Sequence, residues 1–336
     1  MAQFTLYRST DGSAPVLTGQ VGSLVALLDA CLVTGYGSKV AAGWSKPFTG
    51  TNKAAFRTGA GGGGSQHYVR IGHDALRPTT GGAVAGGAQG AYATGFETMT
   101  DVDTGTGAFS TAAQGAVVAG VAGLHIRISN TADATARAWI VAADARTFYL
   151  FILTGDTANN YFGCYFGDFY SLVIGDPYRS ALIAGVSENS QGSKLCDFVS
   201  GGFFGAITGH YFARGHTGLG GSVNFSKHGD LVKLGTTTNP GLFGVVPFTN
   251  PSDGGLYLSP VWITDPITTP VNGLRGRLRG FWHFLHPVAS VVDGDTFNGV
   301  GELAGKSFLI IKAAFGAAGA GSSVYVIETS NTLETN

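Results

Sequence analysis

Formal charge is scarce in this chain: Lys and Arg number 20, Asp and Glu 21, together 12% of 336 residues. The balance leaves −1 at pH 7. That excludes bulk binding to nucleic acid, because sequence-independent affinity for a polyanion needs a clustered basic excess. Four long intervals carry no formal charge at all: Pro78 to Phe96, Thr104 to Ile126, Leu234 to Ser252 and Ala313 to Ile327. A soluble monomer spreads charges of both signs over its surface, so these gaps point to surfaces that are covered in use.

Cysteine is also sparse. Cys31, Cys164 and Cys196 form no C-x-x-C pair and are odd in number, which argues against a disulfide framework or a cysteine zinc site and for a reducing environment. The opening residues, Met-Ala-Gln-Phe-Thr-Leu-Tyr-Arg, lack a basic region followed by an apolar one, so no secretory signal is expected. Long hydrophobic runs are missing too. Within Thr104 to Ile126 only Ala116 to Leu124 is predominantly apolar, well short of the ~20 residues of a membrane-spanning helix, and no membrane span is expected.

Glycine and aromatics are plentiful. The 54 glycines are roughly twice the usual share of ~7%, and 22 Phe, 12 Tyr and 4 Trp supply core material, since each aromatic buries ~150–250 Å². One helix is expected over Gly22 to Val33, where Leu24, Val25, Leu27, Leu28, Cys31 and Leu32 share a face at helical spacing, with Gly35 as its stop.

From Leu124 onward short aromatic and β-branched runs alternate with Asn, Asp and Gly, as strands do. They are Leu124 to Ser129, Ala136 to Ala142, Thr147 to Thr154, Tyr161 to Phe169, Leu172 to Ile174, Ala181 to Val186, Phe203 to Phe212, Leu256 to Thr264, Gly273 to Trp282, Ser307 to Lys312 and Val324 to Ile327. Ala138 to Leu153 reads as a hairpin turning near Asp144 and Ala145, and Gln66 to Gly72 as an earlier strand. Prolines 240, 247, 251, 260, 266 and 270 break the middle of this region into loops and edge pieces.

The fold class is therefore mainly β: an antiparallel β-sandwich or barrel body with one short N-terminal helix and Gly-rich loops. The expected division is an N-terminal region, 1–123, and a β-rich body, 124–336. The glycine runs Gly59 to Ser65 and Gly81 to Gly90 read as arms that order against a neighbour, or as plain loops.

No catalytic, cofactor or metal motif is complete. Gly301-Glu-Leu-Ala-Gly-Lys-Ser307 lacks the first glycine of a phosphate-binding loop, where Val300 stands, and a strand pattern follows it instead of a helix. Gly59 to Gly64 fits G-x-G-x-x-G only because nearly every residue is glycine, and no G-x-S-x-G elbow exists. His283-x-x-His286 lacks the glutamate of H-E-x-x-H. Asp293-Gly-Asp-Thr-Phe-Asn-Gly299 puts Phe297 where a calcium loop needs an oxygen ligand, which favours a turn. A non-enzymatic protein without cofactors is expected.

The most pointed polar feature is Arg275-Gly-Arg-Leu-Arg-Gly280. On extended chain Arg275, Arg277 and Arg279 face one way, three guanidinium groups in a row that call for a carboxylate or phosphate partner. The alternatives are a salt-bridge ladder to a neighbouring subunit, an anion site, or a solvated strand face. Trp44, set among Lys39, Lys46 and Lys53, and Trp282 join the three arginines as candidate inter-subunit contacts. Reversing Arg275 and Arg277 to Glu is expected to spare the fold and block assembly.

Gly22-Ser-Leu-Val-Ala-Leu-Leu-Asp-Ala-Cys-Leu-Val-Thr-Gly-Tyr-Gly37, together with Ala42 to Arg57, resembles the opening of structural proteins from the virions of tailed bacteriophages; Asn272 to Pro287 and Gly305 to Lys312 are similar to later segments of the same proteins. The resemblance implies a place in the virion, assembly in the host cytoplasm, and partners that are copies of the chain and other virion proteins. Tail, baseplate or neck is the expected location, with head decoration as an alternative. A carbohydrate-binding or receptor-binding protein, contacting a host surface glycan through Trp44, Trp139, Trp262 or Trp282, is the alternative of a different class.

Overall fold

Seven consecutive residues, Thr147-Phe-Tyr-Leu-Phe-Ile-Leu153, show no alternation of apolar and polar side chains, and the first six are buried. A strand of that kind must be covered on both faces. The computed structural model shows how: it is the middle of three stacked antiparallel sheets. It describes residues 4–59, 64–73, 89–109, 123–155, 161–184, 210–215, 218, 227–229, 234–236, 239–244, 258–268, 271–284, 291–314 and 322–330.

Strand β1 (Thr5–Arg8) is followed by α1 (Ser23–Asp29) and then by β2 (Ser45–Gly50), β3 (Lys53–Arg57), β4 (Tyr68–Gly72) and β5 (Gln89–Phe96). A small hairpin, β6 (Thr98–Asp101) and β7 (Thr104–Thr106), precedes β8 (Leu124–Ser129), which completes a front sheet of order β2-β3-β4-β5-β8. Strands β9 (Trp139–Ala143), β10 (Thr147–Leu153), β11 (Tyr161–Asp168), β12 (Tyr170–Ser171), β13 (Ser180–Ala184) and β14 (His210–Phe212) come next. All but β12 join β1 in a central sheet of order β1-β9-β10-β11-β13-β14.

The back sheet is built from β15 (Lys227–Gly229), β18 (Leu258–Thr268), β19 (Val271–Phe284), β22 (Ser322–Glu328), β21 (Ser307–Ala314) and β20 (Thr296–Asn298), in that order, with β12 paired to β19. Between β15 and β18, β16 (Leu234–Thr236) and β17 (Asn239–Gly244) pair with each other.

The central strands send alternate side chains to opposite cores, as the two-residue period requires. Phe148, Leu150 and Ile152 join Phe162, Cys164 and Phe166 in the front core, against Phe56, Val69, Ile71 and Ile126 of the front sheet. Tyr149, Phe151 and Tyr165 face the back core with Phe281, Leu309, Tyr325 and Ile327. Helix α1 contributes Leu24, Leu27 and Leu28 to the front core.

The sequence reading holds for the sandwich-like β body, for the hairpin across Asp144 and Ala145, and for the single short helix. Several details differ. The α-helix ends at Asp29, and Ala30–Thr34 is wound as π-helix, ending on Gly35 at φ 78° with its N–H donated to Ala30 O. This wider turn keeps Cys31 and Leu32 in the core.

Leu172 to Ile174 is a turn, not a strand: Val173 N–H donates to Ser171 Oγ, which donates to Asp176 Oδ2 at 2.8 Å, and Gly175 takes φ 69°. Pro260 and Pro266 lie inside β18. Partner β15 covers only Trp262 to Thr264, and the register with β19 shifts beside both prolines, so their missing N–H groups cost no ladder bond there.

Strands on either side of 123/124 pair with one another, β1 with β9 and β5 with β8. Of the glycine-rich arms, residues 60–63 and 81–88 lie outside the described residues, as do residues 203–209 of the expected strand Phe203 to Phe212. No described helix is long and apolar enough to cross a membrane.

Candidate functional site

β19 carries all three arginines, and its register with β18 breaks twice along them. The pairing with β18 slips between Ile263 and Thr264, opposite Arg275, and again between Pro260 and Trp262, opposite residues 278–281. The glycines of the segment make its close approaches possible. A Cβ at Gly276 would stand 2.0 Å from Tyr170 O of β12, and Gly280, at φ 59°, would place one 2.6 Å from the Phe4 ring.

Arg275 is 1% exposed and pairs with Asp176, Nη2 at 3.1 Å from Oδ1 and 3.0 Å from Oδ2, with Nε 3.1 Å from Oδ2. Its other donors reach Arg214 O at 2.6 Å and Tyr178 O at 3.0 Å. The guanidinium lies 4.7 Å from the Phe212 ring centre and 5.3 Å from that of Phe169. Such a pair, forked and flanked by rings, fixes geometry. Asp176 closes the turn after β12, accepting from Ser171 Oγ and Tyr178 N, so Arg275 clamps a turn that presents Leu172 and Ile174 to solvent.

Arg279 is buried against Asp144 in the β9–β10 turn, with Nη2 2.6 Å from Oδ2 and Nη1 3.1 Å from Oδ1. Burial opposes its charge, but Asp144 more than compensates and holds its pKa above the ordinary value. Asp144 Oδ1 also accepts the N–H groups of Arg146 and Thr147, both at 2.8 Å, which fixes the turn.

The carboxylates that the arginine row calls for are thus supplied within the chain for Arg275 and Arg279. A Glu at position 275 would set a second carboxylate against buried Asp176, which weighs against the expectation that Arg275 reversal spares the fold. Arg277 is half-buried; burial pulls its pKa down while Tyr170 and Glu328 pull it up.

Trp44 is buried, donates Nε1–H to Asp144 O at 2.7 Å, and packs on Phe148 at 5.5 Å. Its neighbour Lys46 pairs with Asp29 at 2.7 Å. Trp282 is 8% exposed and lies edge-on to Phe308.

A second polar cluster has no signal in the sequence. Ser65, at the end of the first glycine run, donates Oγ–H toward Asp168 Oδ1 at 2.5 Å and lies 2.6 Å from Ser180 Oγ; its N–H donates to Asp168 Oδ2 at 2.9 Å. Gly59 N–H reaches Ala145 O, so both ends of the run are pinned to the central sheet. His67 is buried beside this cluster, and Nδ1 has no partner among the described residues. Burial pulls its pKa down against the opposing pull of Asp168 and Glu97. His67 meets Ser65 through its backbone N–H, which donates to Ser65 Oγ at 3.4 Å. Glu97 in turn receives Arg214 Nη2 at 2.9 Å.

The incomplete motifs take structural roles. Lys306 pairs with Glu328 at 3.2 Å, and the residues from Ser307 form β21. Asp293 Oδ1 accepts Lys312 N–H in a turn that Gly294 makes at φ 84°. Cys31 and Cys164 are free thiols, pushed up in pKa by burial. Cys196 and His286 lie outside the described residues.

Compared with known proteins, the chain matches no family model and no curated protein.

Proposed function

We propose that this chain is a non-enzymatic, multi-copy structural protein of a tailed-bacteriophage virion, a component of tail, baseplate or neck, assembled in the host cytoplasm beside copies of itself and other virion proteins. The resemblance of Gly22 to Gly37, Ala42 to Arg57 and Asn272 to Pro287 gives the location. The charge-poor intervals give the mode of use, docking.

The observation that carries the reading is where the buried ionic groups go. Arg279–Asp144, Arg275–Asp176 and Lys306–Glu328 all fasten strands and turns to one another. Buried pairs of this kind are a costly way to gain stability; here they lock turns and strands in place, with Arg279–Asp144 tying the back sheet to the central one. Head decoration shares this support. The carbohydrate reading draws little: Trp44, Trp139 and Trp282 are buried, leaving Trp262, half-buried, as the indole nearest to a sugar platform.

Light scattering and negative-stain microscopy on the purified chain test the proposal. Defined closed or stacked oligomers are expected. A chain that stays monomeric up to high concentration and binds or shortens a host polysaccharide overturns it.

A further inference from the structure

The Asp168 carboxylate is 1% exposed and touches both polar atoms at the start of residue 65: Oδ1 lies 2.5 Å from Ser65 Oγ, and Oδ2 lies 2.9 Å from Ser65 N. A hydroxyl becomes a nucleophile when a base stands within hydrogen-bond reach. The electrophile closest in the chain to that hydroxyl is the carbonyl carbon of its own preceding peptide, Gly64, which a serine Oγ reaches by closing a small ring.

The neighbours of this peptide suit an acyl transfer. A Cβ at Gly64 would stand 2.6 Å from Gly59 O, so the position has room only for glycine and no side chain shields its carbonyl. On the other side, Gln66 takes φ 61°, a left-handed conformation that non-glycine residues rarely adopt and that stores strain where it is held. Ser180 Oγ lies 2.6 Å from Ser65 Oγ, and His67 N–H donates to it at 3.4 Å. Both are placed to take up charge as Oγ loses its proton.

We propose that the Gly64–Ser65 peptide bond cleaves itself, once per chain. Asp168 takes the Oγ–H proton as Oγ bonds to the Gly64 carbonyl carbon; the C–N bond then breaks, and Asp168 returns the proton to Ser65 N. The product is an ester of Gly64 on Ser65 Oγ beside a free Ser65 amine. Water hydrolyses the ester, its hydroxyl going to the Gly64 acyl carbon and its hydrogen to Oγ, which leaves a Gly64 carboxylate and a Ser65 ammonium. The two pieces stay together, because β3 of one pairs with β4 of the other, Ala55 opposite Arg70 and Phe56 opposite Val69. One cut without turnover needs no substrate cavity, and the inference stands independently of the virion reading.

The test follows the purified full chain near neutral pH by intact mass and denaturing gel. Fragments 1–64 and 65–336 are expected, with Ser65 as the new N-terminus, at a rate independent of protein concentration; under native conditions they elute together. Hydroxylamine, which captures esters, is expected to speed the cut and leave a hydroxamate on Gly64. Asp168→Asn slows the cut about a hundredfold or more, as loss of a general base does, and Ser65→Ala abolishes it.

A chain that remains whole with and without hydroxylamine overturns the proposal. So does cleavage at several bonds of the glycine run, cleavage suppressed by protease inhibitors, or a Ser65→Ala chain cut as fast as wild type. Should Asp168→Asn fail to fold, the hydroxylamine reaction of the wild type and the Ser65→Ala comparison still decide.

Discussion

The two faces of the central sheet are covered by different mixtures of side chains. Toward the front sheet small and aliphatic residues, Ala54, Val69, Ile71, Ala91, Ala93, Ile126 and Ile128 meeting Val141, Leu150 and Ile152, surround a ring cluster of Trp44, Phe109, Phe148 and Phe166, with Trp44 and Phe166 at 5.9 Å. Toward the back sheet the interface is an aromatic stack. Tyr149 lies 5.1 Å from Phe281 at 11°, and Phe281 lies 5.3 Å from Tyr325 at 20°. Tyr149 OH donates to Arg279 O at 2.8 Å, and Arg279 returns to Asp144.

Asp144 belongs to both sides, since its carbonyl takes the Trp44 N–H from the front while its carboxylate takes Arg279 from the back. Both sides thus use rings and directed polar contacts, and they differ in the share of small and aliphatic side chains, which is larger at the front. That aliphatic part tolerates volume-conserving exchange, whereas the buried Arg279–Asp144 pair does not tolerate loss of one partner.

The largest expected effect comes from removing the shared residue. Asp144→Ala leaves Arg279 buried without its carboxylate and opens the β9–β10 turn, at a cost of about 3–5 kcal/mol in urea denaturation. Adding Arg279→Met recovers most of this loss if the charge is the cause. If it recovers nothing, the turn is what matters.

Next come the adjacent residues Leu150 and Phe151, which point to opposite cores. Phe151→Ala is expected to cost about 3–5 kcal/mol and Leu150→Ala about 2–5 kcal/mol, both read as midpoint shifts at unchanged m-value. A loss under about 1 kcal/mol at either would mean that its face is not covered in solution.

The smallest effect separates the interfaces by pH. His67 lies on the front side with its pKa lowered by burial, so the folded protein holds it neutral. Below the unfolded value of about 6.5 the unfolded chain takes up a proton that the folded chain refuses, and stability falls with pH, by no more than about 1.4 kcal/mol per unit. Wild type and His67→Gln should differ in slope between pH 6.5 and 5, as followed by thermal melts. Equal slopes remove His67 from the account.

Strands with a short-range signal were legible in the sequence. Leu124 to Ser129 and the hairpin around Asp144 stand where pattern and turn residues put them. Three stacked layers were not legible, because which sheet covers which face depends on pairings such as β1 with β9, far apart in the chain.

The carboxylates that meet Arg275 and Arg279 were not legible for a related reason: Asp176 and Asp144 lie 99 and 135 residues away, and the bulges opposite β18 leave no mark on residues 275–280 beyond the glycines. Ser65 meets Asp168 across 103 residues with no local motif. Leu172 to Ile174 is apolar enough for a strand, but Ser171 and Asp176 turn it outward.

The place of β1 at the edge of the central sheet has a consequence for synthesis. Its partners Ile140 to Ala143 are made more than a hundred residues after it, an interval on the order of ten seconds at ~5–20 residues per second. The front-sheet strands are also complete before any of β9 to β14 has emerged, so their greasy side waits bare on the ribosome. A nascent chain halted just past Ser129 is expected to bind chaperones, and β1 finds its partner only when Trp139 to Ala143 emerge.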